Sequence, residues 1–182
     1  MKLVLPTIEH KYDAIDYINE LIEGGSAIHG TGFLERYLEN STYEKWLYDI
    51  DKLENILDNG GVPVSIYFLV DDDSNIIGMT NIRHKLNDKL FFHGGNIGYS
   101  IRPSLRRHGY GKVNLYLALE KCSALGIKRV LISAENNNIP SYRTIEALGG
   151  IMENKVFDKG KYFRRYWIDV ESSLSLYKKY YG

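Results

Sequence analysis

Apolar residues recur three and four positions apart through the first third of the chain, and this spacing predicts helices. Lys2 to Leu5 is a short apolar piece read as a first strand. Pro6-Thr7 then opens a helix to about Glu23, with Ile15, Ile18 and Ile22 on one face, and Gly24-Gly25 stops it. Ser26 to Thr31 reads as a loop containing His29, followed by a short helix over Gly32 to Leu38. Ser41-Thr42-Tyr43-Glu44 has the spacing of a capping box, so a helix starts there. Its Tyr43, Trp46, Leu47, Ile50, Leu53 and Leu57 form a core-facing stripe, and Asn59-Gly60-Gly61 ends it.

From Val64 the period changes. Val64 to Val70 is β-branched, aromatic or apolar at most positions, as in a strand covered on both faces. Asp71 to Asn75 is a turn, without the glycine and distal glutamate of a calcium loop. Ile76 to His84 returns as a second strand, with Gly78 at a bulge or a close contact. Asn87-Asp88 and Gly94-Gly95 bound a loop-like segment that leads to a third strand at Ile97. Strand, turn, strand, loop and strand predict an antiparallel meander.

The stretch Ile97 to Lys112 begins as a strand and ends as a helix. Tyr99 and Ile101 alternate with Ser100 and Arg102, and Pro103 ends the run. Arg106-Arg107-His108-Gly109-Tyr110-Gly111 follows, then a helix from Lys112 to Leu125. A glycine-bearing turn between a strand and a helix suits an anion, because backbone N–H groups there are free and the helix dipole favours negative charge. Arg106, Arg107 and Lys112 add positive charge. A P-loop is excluded, since Arg106 stands where its first glycine belongs and Val113 replaces its Ser/Thr; the dinucleotide fingerprint fails at Asn114.

The helix after this turn has a wide apolar stripe, Leu115, Ala118, Leu119, Cys122 and Leu125, placed against the sheet, and a narrower one of Val113, Leu117 and Ala124. Gly126 ends it, and Lys128 to Ala134 is a strand, so the two strands around the helix should be parallel neighbours. Asn138 caps a helix from Ile139-Pro140-Ser141 to Leu148, stopped by Gly149-Gly150. Ile151 to Val156 and Tyr162 to Val170 read as a closing hairpin. Glu171 to Gly182 reads as a final helix with Leu174 and Tyr177 inward.

Composition narrows the function classes. Lys plus Arg is 23 and Asp plus Glu is 23, so nothing points to nucleic acid or an anionic membrane. The single cysteine, Cys122, lies in the wide stripe and reads as a core thiol, and no cysteine–histidine spacing suits a metal. No apolar run reaches the roughly 20 residues of a membrane helix, and the N-terminus lacks signal-peptide character. The expectation is a cytoplasmic protein with one domain over residues 1–182.

Arg106-x-x-Gly109-x-Gly111, set between a strand ending at Pro103 and a long helix, resembles the coenzyme A pyrophosphate loop of the GNAT superfamily of N-acetyltransferases. The likeness in element order covers Val64 to Ile168. Gly94 to Pro103 and the closing Arg165-Tyr166-Trp167-Ile168 look like a subgroup of predicted acetyltransferases. The resemblance implies an α/β (α+β) fold with a mixed central sheet, an antiparallel N-terminal meander, flanking helices, and a parallel pair splayed at the acetyl-CoA site. Acetyl-CoA would be the co-substrate, a primary amine the acceptor, and no metal would be needed. Ile101 would border the pantetheine arm. Backbone N–H groups from Arg106 through Arg107, His108, Gly109, Tyr110 and Gly111 to Lys112 would hold the pyrophosphate, and Asn138 would meet the cofactor from the other strand.

Gly150 stands where the family carries an aromatic after its glycine, and two positions tied to proton transfer also depart from the family pattern. Ile145 stands where many members carry a tyrosine acid, and Asn96 where many carry a glutamate. The candidates for proton transfer are therefore His93 as base, Glu135 acting through water, and Tyr142 or Ser141 as acid. A solvated loop histidine and a solvated strand-end carboxylate are the alternative readings of the first two; Arg83 and His84, at the end of the second strand, read as lining the substrate side, and Tyr99 and Tyr166 as gap linings or plain core. The rival functions are a non-catalytic acyl-CoA-binding or regulatory module and a structural partner using the exposed face of the helix at Ser41. A homodimer stays open.

Overall fold

The computed structural model describes residues 1–53 and 61–181. β1 (Lys2–Val4), β2 (Val64–Val70), β3 (Ile76–Arg83) and β4 (Ile97–Ile101) form one antiparallel sheet in that order. This is the expected meander. A register shift falls at Leu69/Val70, opposite Gly78. A Cβ at Gly78 would lie 2.7 Å from the Ser100 carbonyl, so bulge and close approach coincide there. A second sheet has the order β5 (Arg129–Glu135), β7 (Lys161–Asp169), β6 (Ile151–Asp158).

The expected pairing of the strands around the long helix is not a ladder. β4 and β5 lie in separate sheets, joined by one bridge, Gly95 with Ile132, and by Asn96. Asn96 N–H donates to the Leu131 carbonyl (2.7 Å), and its Oδ1 accepts from Leu131 N–H (2.9 Å). Its Nδ2 donates to the Arg83 carbonyl (3.1 Å). One buried amide thus satisfies backbone groups of both sheets at the closed end of the gap.

Seven α-helices flank the sheets among the described residues: α1 (Lys11–Glu23), α2 (Leu34–Asn40), α3 (Tyr43–Leu53), α4 (Asp88–Phe92), α5 (Tyr110–Ala124), α6 (Ile139–Ala147) and α7 (Val170–Tyr181). α1 buries Ala14, Tyr17, Ile18 and Leu21, whereas Ile22 is exposed. A 3-10 turn over Ile8–His10 precedes α1, and the buried face is centred on Tyr17 rather than on Ile22. α3 is capped by Thr42, whose Oγ1 accepts from Lys45 N–H (3.2 Å), not by Ser41. Its Tyr43, Trp46 and Ile50 are buried; Leu57 and the stop at Asn59-Gly60 lie outside the described residues. The segment before β4, expected to be loop-like, holds α4, capped by Asn87. α5 buries Leu115, Ala118, Leu119 and Cys122 as expected, and Asn114 and Tyr116 as well, while Leu125 is exposed. Burial pushes the Cys122 thiol up to about 12, in keeping with a core thiol. No helix among the described residues is long and apolar enough to cross a membrane.

Candidate active site

The turn between β4 and α5 leaves backbone donors free. Its start is anchored by Arg102, whose guanidinium meets Asp13 and Glu20 of α1 and whose Nε donates to the Ile76 carbonyl (2.9 Å). Arg106 then folds back, with Nε donating to the Ile101 carbonyl (3.2 Å) and Nη2 to Ser26 Oγ (2.9 Å). Arg107 and Gly109 take the left-handed conformation, with φ of 70° and 85°. Arg106 N–H bonds the Pro103 carbonyl (3.2 Å) and Lys112 N–H the Gly109 carbonyl (3.0 Å). Between them the N–H groups of Arg107, His108, Gly109, Tyr110 and Gly111 meet no acceptor among the described residues. The free run is therefore shorter than the sequence suggested, because both of its ends are spent on the turn itself. At the start of a 15-residue helix such a run of free donors has the geometry that suits an anion. A Cβ at Gly109 would meet nothing within 4 Å, so the approach is open. Arg106, Arg107, Tyr110 and Lys112 line the cleft there, and the exposed His108 is not part of its wall.

The cleft runs into the gap between the sheets. Arg83 N–H bonds the Asn96 carbonyl (2.8 Å) and Arg102 N–H the Ile77 carbonyl (2.9 Å). In an antiparallel ladder that alternation turns the backbone of Gly98 and Ser100 toward β3, and the backbone of Ile97, Tyr99 and Ile101 toward the gap. Ile101 lies on the cleft wall, as expected.

Two cavities meet inside the gap, and His29, Tyr99, Asn138 and Ser141 line both. Asn138 caps α6, its Oδ1 accepting from Ser141 N–H (3.3 Å), which leaves its amide N–H₂ for a ligand. The Tyr99 hydroxyl is buried without a hydrogen-bond partner among the described residues. Burial pushes it up to about 12; the nearby Ser141 and Thr144 hydroxyls moderate the rise without meeting it in bonding geometry. His29 is held in place by Gly30, whose φ of 79° and close approach to Tyr99 Cα admit no side chain. His29 is an exposed residue whose imidazole opens into the cleft; desolvation by the cleft walls lowers its pKa below the usual 6.5, Arg83, Lys161 and His93 add to the lowering, and Glu135 opposes it.

The second cavity extends past His93, Glu135, Arg83, Asn81 and Phe33. His93 Nε2 lies 3.3 Å from Asp158, its ring stacks on Phe163 (4.1 Å), and its Nδ1 is buried without a partner. Glu135 accepts from Lys161 Nζ (2.7 Å). Ser141 reaches both cavities, but Tyr142 reaches neither: it packs into the core beneath the Arg164 guanidinium at 4.0 Å. Ile145 is wholly buried. Sequence reasoning passed over His29 as a functional group, while it set Arg83 on the substrate side and left Tyr99 between gap lining and plain core; the one local signal for His29 was the Gly30 and Gly32 pair beside it.

The model of the acetyltransferase (GNAT) domain matches residues 11–151. This chain belongs to the GNAT acetyltransferase family. Members of the family use acetyl-CoA as co-substrate, and the run of free N–H groups fits its pyrophosphate. Among solved structures, a chimera of the spermidine N-acetyltransferase SpeG of Vibrio cholerae with hSSAT is similar, with a TM-score of 0.62 and 16% identity, covering 96% of this chain and 99% of that one. The ribosomal-protein-S5-alanine acetyltransferase of Vibrio fischeri also matches, with a TM-score of 0.62 and 14% identity, covering 93% and 92%. At these identities the likeness is one of fold. No curated protein sequence matches the chain. Among the described residues no group of three or more His, Cys, Asp and Glu is placed to hold a metal ion.

Proposed function

We propose that this GNAT acetyltransferase moves an acetyl group from acetyl-CoA to a primary amine by direct transfer, in one domain spanning residues 1–182. The observation that carries the reading is the run of five free N–H groups from Arg107 to Gly111, opening on a gap that continues to a second cavity. The N–H run and Lys112 hold the pyrophosphate, Ile101 borders the pantetheine arm, and Asn138 meets it from the other wall. The amine enters from the second cavity and meets the thioester where the cavities join.

At that junction the amine nitrogen attacks the carbonyl carbon and the carbon–sulfur bond breaks. The amine proton passes to His29, whose lowered pKa keeps it neutral and ready to accept at pH 7. His29 is preferred to His93 because it borders both cavities, whereas His93 is engaged by Asp158 and its Nδ1 is closed off. His93 and Glu135 line the amine's path. The Tyr99 N–H faces the gap as an oxyanion donor, a contact typically worth about 3 kcal/mol. The Tyr99 hydroxyl, with Ser141 beside it, gives its proton to the departing thiolate. The test is release of free CoA, followed with a thiol dye over an amine panel. A rate that rises on adding amine supports transfer. Tight acetyl-CoA binding with no release across the panel supports a binding module.

A further inference from the structure

Arg83 stands in the second cavity as a desolvated guanidinium with no carboxylate. Its Nη1 donates to the Gly95 carbonyl (3.0 Å), and among the described residues no acid lies within ion-pair distance. The acids around it are already engaged: Glu135 by Lys161, Asp158 by His93, Asp49 by Lys45 and Tyr37, and Glu35 by the Thr31 hydroxyl. Arg83 is half-buried, and a charge partly withdrawn from water with no carboxylate beside it marks a place that a ligand can complete. Phe33 and Phe163 wall the same cavity, and Phe33 is held at a left-handed φ of 63°, a conformation disfavoured for a bulky residue.

Resting on the function proposed above, we infer that the acceptor is an amine with an apolar body and a carboxylate at its far end, which Arg83 binds. The register sets the spacing. Thr80 pairs with Tyr99 at the transfer point, and Arg83 lies three residues further along β3, about 10 Å away at ordinary strand rise. The guanidinium is drawn further in that direction by the Gly95 carbonyl. A short peptide or an ω-amino acid spans this distance, whereas a polyamine would bring a second cation against an unpaired arginine.

The test pairs 6-aminohexanoate with its neutral amide, 6-aminohexanamide, and adds spermidine. Turnover is measured as kcat/KM, and binding by calorimetry in the presence of free CoA, which cannot react. The acid should bind and turn over roughly 10²-fold better than the amide, the scale of losing one partner of a buried charge pair. Arg83→Gln should erase that preference and leave acetyl-CoA affinity unchanged, and Arg83→Lys should restore part of it. Among the described residues the Arg83 side chain makes one hydrogen bond, to a carbonyl, so both variants should keep the wild-type fold by circular dichroism. Equal binding of acid and amide, binding of neither, or preference for spermidine overturns the inference even if acetyl transfer is observed. Arg83-dependent binding of the acid without turnover upholds it and overturns transfer instead.

Discussion

Ser100 Oγ donates a 2.7 Å hydrogen bond to the carbonyl of His29, tying the middle of β4 to a loop 71 residues earlier in the chain. The same hydroxyl lies 2.9 Å from Tyr17 Oη of α1. With its one proton given to His29, it accepts from Tyr17. The order Tyr17, Ser100, His29 therefore fixes the backbone that carries the imidazole bordering both cavities.

Ser100→Ala should test this link. The substitution leaves the Tyr17 hydroxyl and the His29 carbonyl without their partner, so urea unfolding should show a loss of about 1–3 kcal/mol. Turnover should fall about tenfold at saturating acetyl-CoA, the effect of misplacing a base by a fraction of an ångström. Unchanged turnover in a measurably destabilised variant would show that the link serves the fold alone.

The pH profile follows from the same residue. The pKa of His29 is lowered, so its neutral form persists below the usual 6.5. The rate should be flat near pH 7, with respect to this group, and fall as pH drops through that depressed value, where protonation removes the base. His29→Ala should lower turnover about 10²-fold and abolish that limb. His93→Ala should keep the limb. The reverse pattern would move the base to His93, oriented by Asp158.

Gly109→Asp addresses the anion site. The new Cβ enters open space and aspartate tolerates the left-handed conformation better than most residues, so the protein should fold. Its carboxylate would stand before the free N–H groups and repel the pyrophosphate. Acetyl-CoA affinity by calorimetry should fall at least about tenfold. Arg106→Ala should weaken binding by loosening the turn, since that guanidinium already bonds the Ile101 carbonyl and Ser26, so the loss should depend little on salt.

What the sequence disclosed and what it hid divide by range. The turn at Arg106 to Gly111 was legible because free N–H groups, positive φ and a helix start are local properties. The meander and closing hairpin were legible from strand period and turn residues. The face of α1 was misjudged because Tyr17 is buried, its hydroxyl satisfied by Ser100 from another element. α4 escaped notice because five residues carry no period. Asn96 could be excluded as a base from its chemistry, but its joining of two sheets needed Leu131 beside it. His29 reaches the site only because Gly30 lies against β4, and Arg83, legible as a substrate-side residue, shows its lack of an acidic partner only once its neighbours' partners are known.

The two tyrosines near α6 give the sharpest contrast. The expectation that Tyr142 faces the gap fails on geometry, since its ring is packed under Arg164. Tyr99, on β4, occupies the junction instead, with a buried hydroxyl that bonds nothing. Removing an unsatisfied buried group costs no stability, so Tyr99→Phe should unfold at the same urea concentration as the parent or slightly higher. Its turnover should nonetheless fall about tenfold. The loss is limited because water can protonate a thiolate whose pKa is about 8.5, taking cysteine as the guide. Because burial holds the phenol protonated up to about 12, the loss should be the same across the working pH range. Tyr142→Phe should leave turnover unchanged. Equal turnover in Tyr99→Phe and the parent would remove the phenol as proton donor and leave Ser141, which lines the same junction, in that role.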